Sequence, residues 1–276
     1  MAHCIVPEAE EILDREFPVL DKGFVRLVDY LGGDERIVQA ARVSYGKGTK
    51  SYREDKGLIA YLLRNQHTSP FEQVVFTFHV KLPVFVARQW IRHRTARLNE
   101  ISGRYSVLKD EFYLPDALDL AAQSTDNKQG RAGEALEPEA AQEALEVLRA
   151  GQKRAYEDYS SLLRTLAREI ARINLPLSVY TEWYWQIDLH NLLHFLKLRM
   201  DAHAQKEIRL YAEVLYGIMK KVSPLTAQAF DEHVLGAVSF SAQEFAALKN
   251  LLRGENLDAA GLTEKEAARF QEKLGL

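Results

Sequence analysis

Five arginines (Arg88, Arg92, Arg94, Arg97 and Arg104) and His93 fall in a stretch whose one acid is Glu100. Charges of one sign packed this closely repel unless an anion sits among them. The chain as a whole has a net charge of −3 and a pI near 6.3, so the cluster does not reflect a generally basic protein. Arginine presents a planar fork of donors that matches phosphate oxygens two at a time. The chemistry expected here is recognition of a phosphorylated ligand.

Two other readings fit the same residues. One is a solvated basic face, or arginines paired with acids such as Glu100 and Asp110. The other is a nucleic-acid groove, which ordinarily carries a larger positive field than this chain offers. With Asn99, Ser102 and Gly103 interleaved among the arginines, a phosphate or nucleotide site is favoured over both.

The elements that must position these residues can be read from periodicity. Pro83 is expected to open a helix running to about Arg94, with Val84, Ala87 and Ile91 as its buried stripe. On that helix Arg88 and Arg92 are four apart and share a face, a repulsion of roughly 0.2–0.5 kcal/mol. Gln89 lies within one turn of Arg92. The chain then leaves the helix, and Asn99 to Tyr105 presents Glu100, Ser102, Gly103 and Arg104.

Upstream, Phe24 to Leu31 reads as a strand closed by Gly32-Gly33. Asp34 is placed to cap a short helix through Ala41. Glu54 to Arg64 is a second helix, and Ser69-Pro70-Phe71-Glu72 has the form of a capping box. Val74 to Leu82 alternates, with Phe76, Phe78, Val80 and Leu82 on one side. Downstream, Gln123 to Gly133 reads as a surface loop and Glu137 to Ile173 as a helix ended by Pro176. Val179 to Ile187 reads as an aromatic strand. Leu189 to Met200 and Ala204 to Val222 read as helices, with small helices from about Ala227. Thr263 and Glu266 form a further capping-box pattern. The expected fold class is α/β of the α+β type, since strands and helices do not alternate regularly. The expected division is an arm over 1–20, a catalytic domain over 21–230 and a helical extension over 231–276.

The chain has 276 residues, 47% hydrophobic and 27% charged, enough to bury a core without disulfides or metal. Its one cysteine, Cys4, excludes a disulfide framework within the chain and points to a reducing compartment. The first residues turn acidic, without the basic start and apolar run of a secretory signal. No apolar run approaches the ~20 residues of a membrane span. A cytoplasmic protein is expected, with no membrane and no nucleic-acid partner.

Arg92-His93-Arg94, then seven residues, then Ser102 resembles the signature of flavin-dependent thymidylate synthases. So do the blocks Leu20-Asp21-Lys22-Gly23-Phe24-Val25, Ala40-Ala41-Arg42-Val43-Ser44, His67-Thr68-Ser69-Pro70-Phe71-Glu72, Arg88-Gln89-Trp90 and Leu198-Arg199-Met200-Asp201-Ala202-His203-Ala204-Gln205. The resemblance runs from about residue 18 to about residue 230. It implies helices packed around a central, largely antiparallel sheet in a homotetramer whose active sites are shared between subunits. It also implies that dUMP becomes dTMP, with methylenetetrahydrofolate as carbon donor, NADPH as reductant and FAD as hydride carrier. Carried over by position, Gln89, Arg92, Glu100, Ser102, Gly103, Arg104, Arg172 and Arg199 hold dUMP, with Arg199 the catalytic group at the uracil ring. Ser69, Arg92, His93, Arg94, Glu100, Asp188, His190, His194, His67 and His203 are the FAD candidates. Two departures stand out. Arg97 occupies a position where many members carry serine, and Asp188, His190 and His194 stand where others have Asn or Arg.

The residues bear on that chemistry directly. Methylation at a pyrimidine C5 needs an electron-rich carbon there, made either by adding a cysteine to C6 or by polarising the ring without a covalent bond. Cys4, in the N-terminal arm, reads as a bystander. A fixed cation beside N3 and the ring carbonyls does the second, and arginine stays charged at any working pH. Ser102 lacks a visible base and is assigned to binding. A hydride must come from a cofactor, because side chains cannot supply one. His79 reads as structural. The His190–His194 pair lacks a third ligand at suggestive spacing, so no metal is expected. Tyr180, Trp183, Tyr184 and Trp185 read as core or subunit interface.

Overall fold

A computed structural model describes residues 4–43, 52–125, 128–253 and 263–275. Ser44, in one of the blocks above, lies outside them. The chain divides into two compact units, Met1–Phe230 and Asp231–Leu276.

The first unit runs, in order, α1 (Pro7–Glu10), β1 (Glu16–Val19), β2 (Gly23–Leu31), α2 (Asp34–Ala41), α3 (Tyr52–Arg64), β3 (Val75–Pro83), α4 (Val84–Trp90), β4 (Arg97–Glu100), β5 (Ala121–Gln123), β6 (Arg131–Ala135), α5 (Pro138–Leu162), α6 (Arg168–Ala171), β7 (Tyr180–Asp188), α7 (Leu189–Arg199), α8 (Lys206–Val222) and α9 (Pro224–Phe230). The second unit holds α10 (Ala242–Leu252) and α11 (Glu264–Leu274). Each is opened by a full capping box, Ser241 with Glu244 and Thr263 with Glu266.

Five strands form one sheet in the order β1-β2-β3-β7-β4, and every neighbouring pair is antiparallel. The alternation read in β3 sends Phe76, Phe78 and Val80 to one face, joined by Val25 and Leu27 of β2 and by Trp183, Trp185 and Ile187 of β7. All are essentially fully buried. Helix α8 meets this core with Ile208, Tyr211, Ala212, Leu215, Ile218, Met219 and Val222, a stripe at helical spacing. Each large apolar side chain buried this way contributes about 1.5–3 kcal/mol relative to exposure. At Gly23 any side chain is excluded. A Cβ there would lie 2.7 Å from the carbonyl oxygens of Val19 and Lys81 and would overlap the Tyr211 hydroxyl.

Trp90 is the pivot for the arginine segment. Its ring packs edge-on to Trp183 and Trp185 at 5.6 and 5.1 Å and tilts against Phe195 of α7 at 4.8 Å. The turn after α4 is thus held at one end by a tryptophan inside the core. At the other end β4 is hydrogen-bonded along β7, Arg97 opposite Gln186 and Glu100 opposite Trp183. On the opposite sheet face lies His79, read from sequence as structural. It accepts from Arg26 Nη2 at Nδ1 (2.8 Å) and stacks on Tyr184 at 4.9 Å.

Several expectations are corrected. Helix α4 ends at Trp90 rather than Arg94, and its buried residues are Val86, Ala87 and Trp90. Arg92 is therefore off the helix, and the expected Arg88–Arg92 helical face does not form. Burying Trp90 sets both the rotation and the end of this short helix. Asp34 does not cap its own helix. Gly33 occupies the cap position. The Asp34 carboxylate instead accepts from Leu225 N (2.6 Å), Thr226 N (3.1 Å) and Thr226 Oγ1 (2.7 Å), satisfying the first turn of α9 across space. Ser69 to Glu72 makes no capping box, because Phe71–Gln73 is a single 3-10 turn with no side-chain cap. The expected 123–133 loop is cut short at both ends, since Gln123 ends β5 and Arg131 to Gly133 belong to β6, which pairs with it. The long helix expected over 137–173 stops at Leu162, and Ala167 is extended before α6 begins.

Candidate functional site

The sequence-derived site residues gather into two main groups. The first lines a cleft of about 480 Å³ bounded by Arg92, His93, Arg94, Thr95, His190, Asn191, His194, Leu198 and Arg199. The turn after Trp90 supplies the first four and α7 the rest. Asp188 does not enter this cleft. Its carboxylate caps α7, accepting from Asn191 N (2.9 Å) and Asn191 Nδ2 (2.7 Å). That cap sets where α7 starts. His190 and His194, four residues apart, then face the same cleft.

Arg199 is the last residue of α7 and is half-buried. Its Nε donates to His93 Nε2 at 3.0 Å, and its Nη2 donates to the Gln89 carbonyl at 3.5 Å. Because Nε2 accepts, the His93 ring proton belongs on Nδ1. The imidazole is held neutral. Burial first, then the Arg199 and His194 charges, lowers its pKa from 6.5 to about 4. The His93 ring also meets Phe195 at 4.8 Å and His194 at 5.8 Å. Burial lowers the pKa of Arg199 too, but a guanidinium begins so high that it stays cationic at working pH. The side-chain amide of Gln89 donates to Gln205 Oε1.

The second group surrounds the loop after β4. Glu100 Oε1 accepts from Thr181 Oγ1 at 2.6 Å. Ser102 Oγ accepts from Arg104 N at 3.3 Å. Gly103 is buried so tightly that a Cβ would lie 3.1 Å from Arg172 Nη1. Arg104 pairs with Glu169 of α6 at 3.0 Å. The loop is tied to α5 because Leu108 N donates to Tyr159 Oη (3.1 Å) and Tyr156 Oη donates to Leu108 O (3.2 Å). Among the described residues, no hydrogen bond or ion pair joins this group to the cleft.

The remaining candidates lie elsewhere. His67 sits edge-on to Tyr61 at 5.7 Å, and Ser69 is exposed beside it. His203 pairs with Asp201 at 2.9 Å and lines a second cleft of about 450 Å³ with Gln205, Arg131 and Arg209. Arg97, unexplained by spacing, is a strand residue whose Nη1 donates to Gln186 Oε1 at 3.4 Å. Sequence reasoning missed Asn191, Thr95 and Leu198 in the cleft. Asn191 had a faint signal, three residues beyond a capping Asp188. It also left out Gln205, which accepts from Gln89 and lines the second cleft beside His203.

A family model described as Thymidylate synthase complementing protein matches residues 26–225. The chain is 65% identical over 263 residues to a flavin-dependent thymidylate synthase of Treponema denticola, covering 95% of this chain and 98% of that protein. This chain belongs to the flavin-dependent thymidylate synthase family. A second family model, Thymidylate synthase ThyX C-terminal domain, matches residues 238–275. A family relative in Treponema pallidum is 62% identical over 275 residues, 99% of this chain and 89% of that protein. Among solved structures, the UMP/dUMP methylase PolB of Streptomyces cacaoi, bound with 5-Br dUMP, superposes with a TM-score of 0.71. It is 34% identical and covers 79% of this chain and 98% of that one.

Proposed function

We propose that the chain reductively methylates dUMP to dTMP, with methylenetetrahydrofolate as carbon donor, NADPH as reductant and FAD as hydride carrier, and that the two groups above are its ligand sites. The observation that carries this reading is Arg199, a half-buried guanidinium held by His93 and the Gln89 carbonyl beside a cationic cleft.

The donors of the cleft fit a dinucleotide's phosphates. Arg92 and Arg94 are exposed there, with His190, Asn191 and His194 opposite. These residues, with His93, would hold FAD. When bound it supplies the hydride that takes the transferred carbon from the oxidation level of formaldehyde to that of a methyl group. Ser102, Gly103, Arg104 and Arg172 would hold the nucleotide phosphate. Gln89 and Arg199 would meet the uracil. A cation fixed beside N3 and the ring carbonyls stabilises negative charge in the ring and makes C5 nucleophilic. The guanidinium is held in place before substrate arrives, so little reorganisation is needed. Cys4 is a poor alternative nucleophile. It is half-buried, and burial followed by the nearby Glu35 raises its thiol pKa.

Within one chain the nucleotide residues form two groups that, among the described residues, no hydrogen bond or ion pair joins. An active site that draws residues from more than one subunit of a homotetramer would bring such groups together on its ligands. Residues 21–230 are read as the catalytic part and 231–276 as a helical extension. A reaction drawing on NADPH suits the cytoplasm, where a lone cysteine stays reduced. No helix among the described residues is long and apolar enough to cross a membrane.

The experiment is direct. Purified protein given FAD should be yellow and should form dTMP from dUMP, methylenetetrahydrofolate and NADPH. NADPH oxidation should rise with dUMP and not with RNA. A colourless protein that takes up no FAD, or a response to RNA alone, would favour a nucleotide- or RNA-binding protein instead.

A further inference from the structure

Glu207 is a buried carboxylate, 4% exposed, that no step above uses. It sits in the first turn of α8, two residues after Gln205. Arg131 Nη2, from β6, donates to both of its oxygens at 2.7 and 2.9 Å. Tyr113 Oη donates to Oε1 at 3.2 Å. Arg131 Nη1 also donates to the Asp119 carbonyl at 2.7 Å, and the Asp119 carboxylate pairs with Lys206. The short hairpin of β5 and β6 is thus bolted to the start of α8 by directional, charge-assisted bonds.

Burying an ion pair is costly, and apolar residues of similar volume often stabilise a fold as well. What a bidentate pair adds is a defined register between the elements it joins. The element whose register is set here carries Gln205. Gln205 occupies the cap position of α8 without capping it. Its side chain instead accepts from Gln89, whose own carbonyl accepts from Arg199. A shift in the first turn of α8 would therefore reach the uracil-facing groups through Gln205 and Gln89.

We infer that Glu207, clamped by Arg131 and Tyr113, is a positioning residue for dUMP recognition, acting through the Gln205–Gln89 contact. This rests on the proposed function. It is tested in the full-length FAD-loaded protein with Glu207→Gln, Arg131→Met and Arg131→Lys. Glu207→Gln and Arg131→Met should each raise the KM for dUMP about five- to twentyfold. The dUMP-independent oxidation of NADPH and the flavin content should stay unchanged. Arg131→Lys keeps the charge and should recover part of the dUMP KM. If Glu207→Gln does not fold, Tyr113→Phe removes one bond of the clamp and should raise that KM at least twofold. A folded Glu207→Gln, or failing that Tyr113→Phe, whose dUMP KM matches wild type overturns the inference, whatever happens to its melting temperature or kcat. Wild-type protein that forms no dTMP sinks the proposed function instead, so the two failures are told apart.

Discussion

Replacing His93 with alanine removes the acceptor that holds Arg199 Nε at 3.0 Å. A hydrogen bond to a charged group is worth about 1.5–3 kcal/mol. Arg199 is half-buried, so water replaces the lost partner only in part. The second tether, to the Gln89 carbonyl, is long at 3.5 Å and cannot orient the guanidinium alone. If the whole bond serves to aim Arg199 at the uracil, kcat/KM for dUMP should fall roughly ten- to hundredfold, since each 1.4 kcal/mol is a factor of ten. His93→Gln, which keeps a neutral acceptor, should lose less. His93 also lines the proposed flavin cleft, so flavin content must be read from absorbance and turnover measured at saturating FAD. The assay is dTMP formation across a dUMP concentration series. A flavin-loaded His93→Ala enzyme within twofold of the wild-type kcat/KM would refute the argument that this imidazole positions Arg199.

Gly103→Ala should raise the dUMP KM about fivefold while barely moving thermal stability. The new Cβ sits 3.1 Å from Arg172 Nη1, 3.2 Å from Arg172 Cδ and 3.2 Å from Leu108 Cδ1, so the arginine and the leucine side chain must both give way; dUMP kinetics identical to wild type would remove Arg172 from the phosphate site. Stability should also fall on acidification through His93. Its folded pKa of about 4 lies below its ordinary 6.5, so between these values the unfolded chain takes a proton that the native ring refuses. The stabilisation is therefore complete above about pH 6.5 and is lost as the pH falls toward 4. The full shift corresponds to about 3 kcal/mol, and screening of a half-exposed ring reduces that to about 1–2 kcal/mol. Thermal unfolding of wild type and His93→Gln between pH 7 and 4.5 checks it, and parallel curves would show that His93 does not contribute.

The sheet was legible because strand periodicity is local information. The alternation of Phe76, Phe78 and Val80, and the aromatic run of β7, announce two strands; that they share one buried face is shown by their pairing. The apolar stripe of α8 is legible for the same reason. The arginine segment was legible as charge, since five guanidinium groups in so short a stretch are visible in any fold, but which of them the fold itself pairs was not: Arg104 meets Glu169 and Arg97 meets Gln186. The end of α4 was not legible. Trp90 is fixed by four aromatic neighbours from β7, α7 and α8, and that burial overrides the helical pattern continuing toward Arg94. The partner of Asp34 is equally hidden in the sequence, because a carboxylate at a helix start looks the same whether it caps its own helix or, as here, α9.

Residue types and spacing by themselves determined that this protein mixes strands and helices with one-sided apolar faces, concentrates arginines in one segment and carries a single cysteine in its N-terminal arm; that the strands pair antiparallel in one sheet came from the resemblance and the fold. Tertiary structure alone decided who meets whom. His93 reaches Arg199 across 106 positions of chain and Gln89 reaches Gln205 across 116. Arg97 finds its place only because β4 is laid against β7, and Glu207 acquires Arg131 only because a hairpin folds onto α8. Periodicity encodes which face of an element is buried. It carries no record of which distant element will cover that face, and the site is made where those faces close.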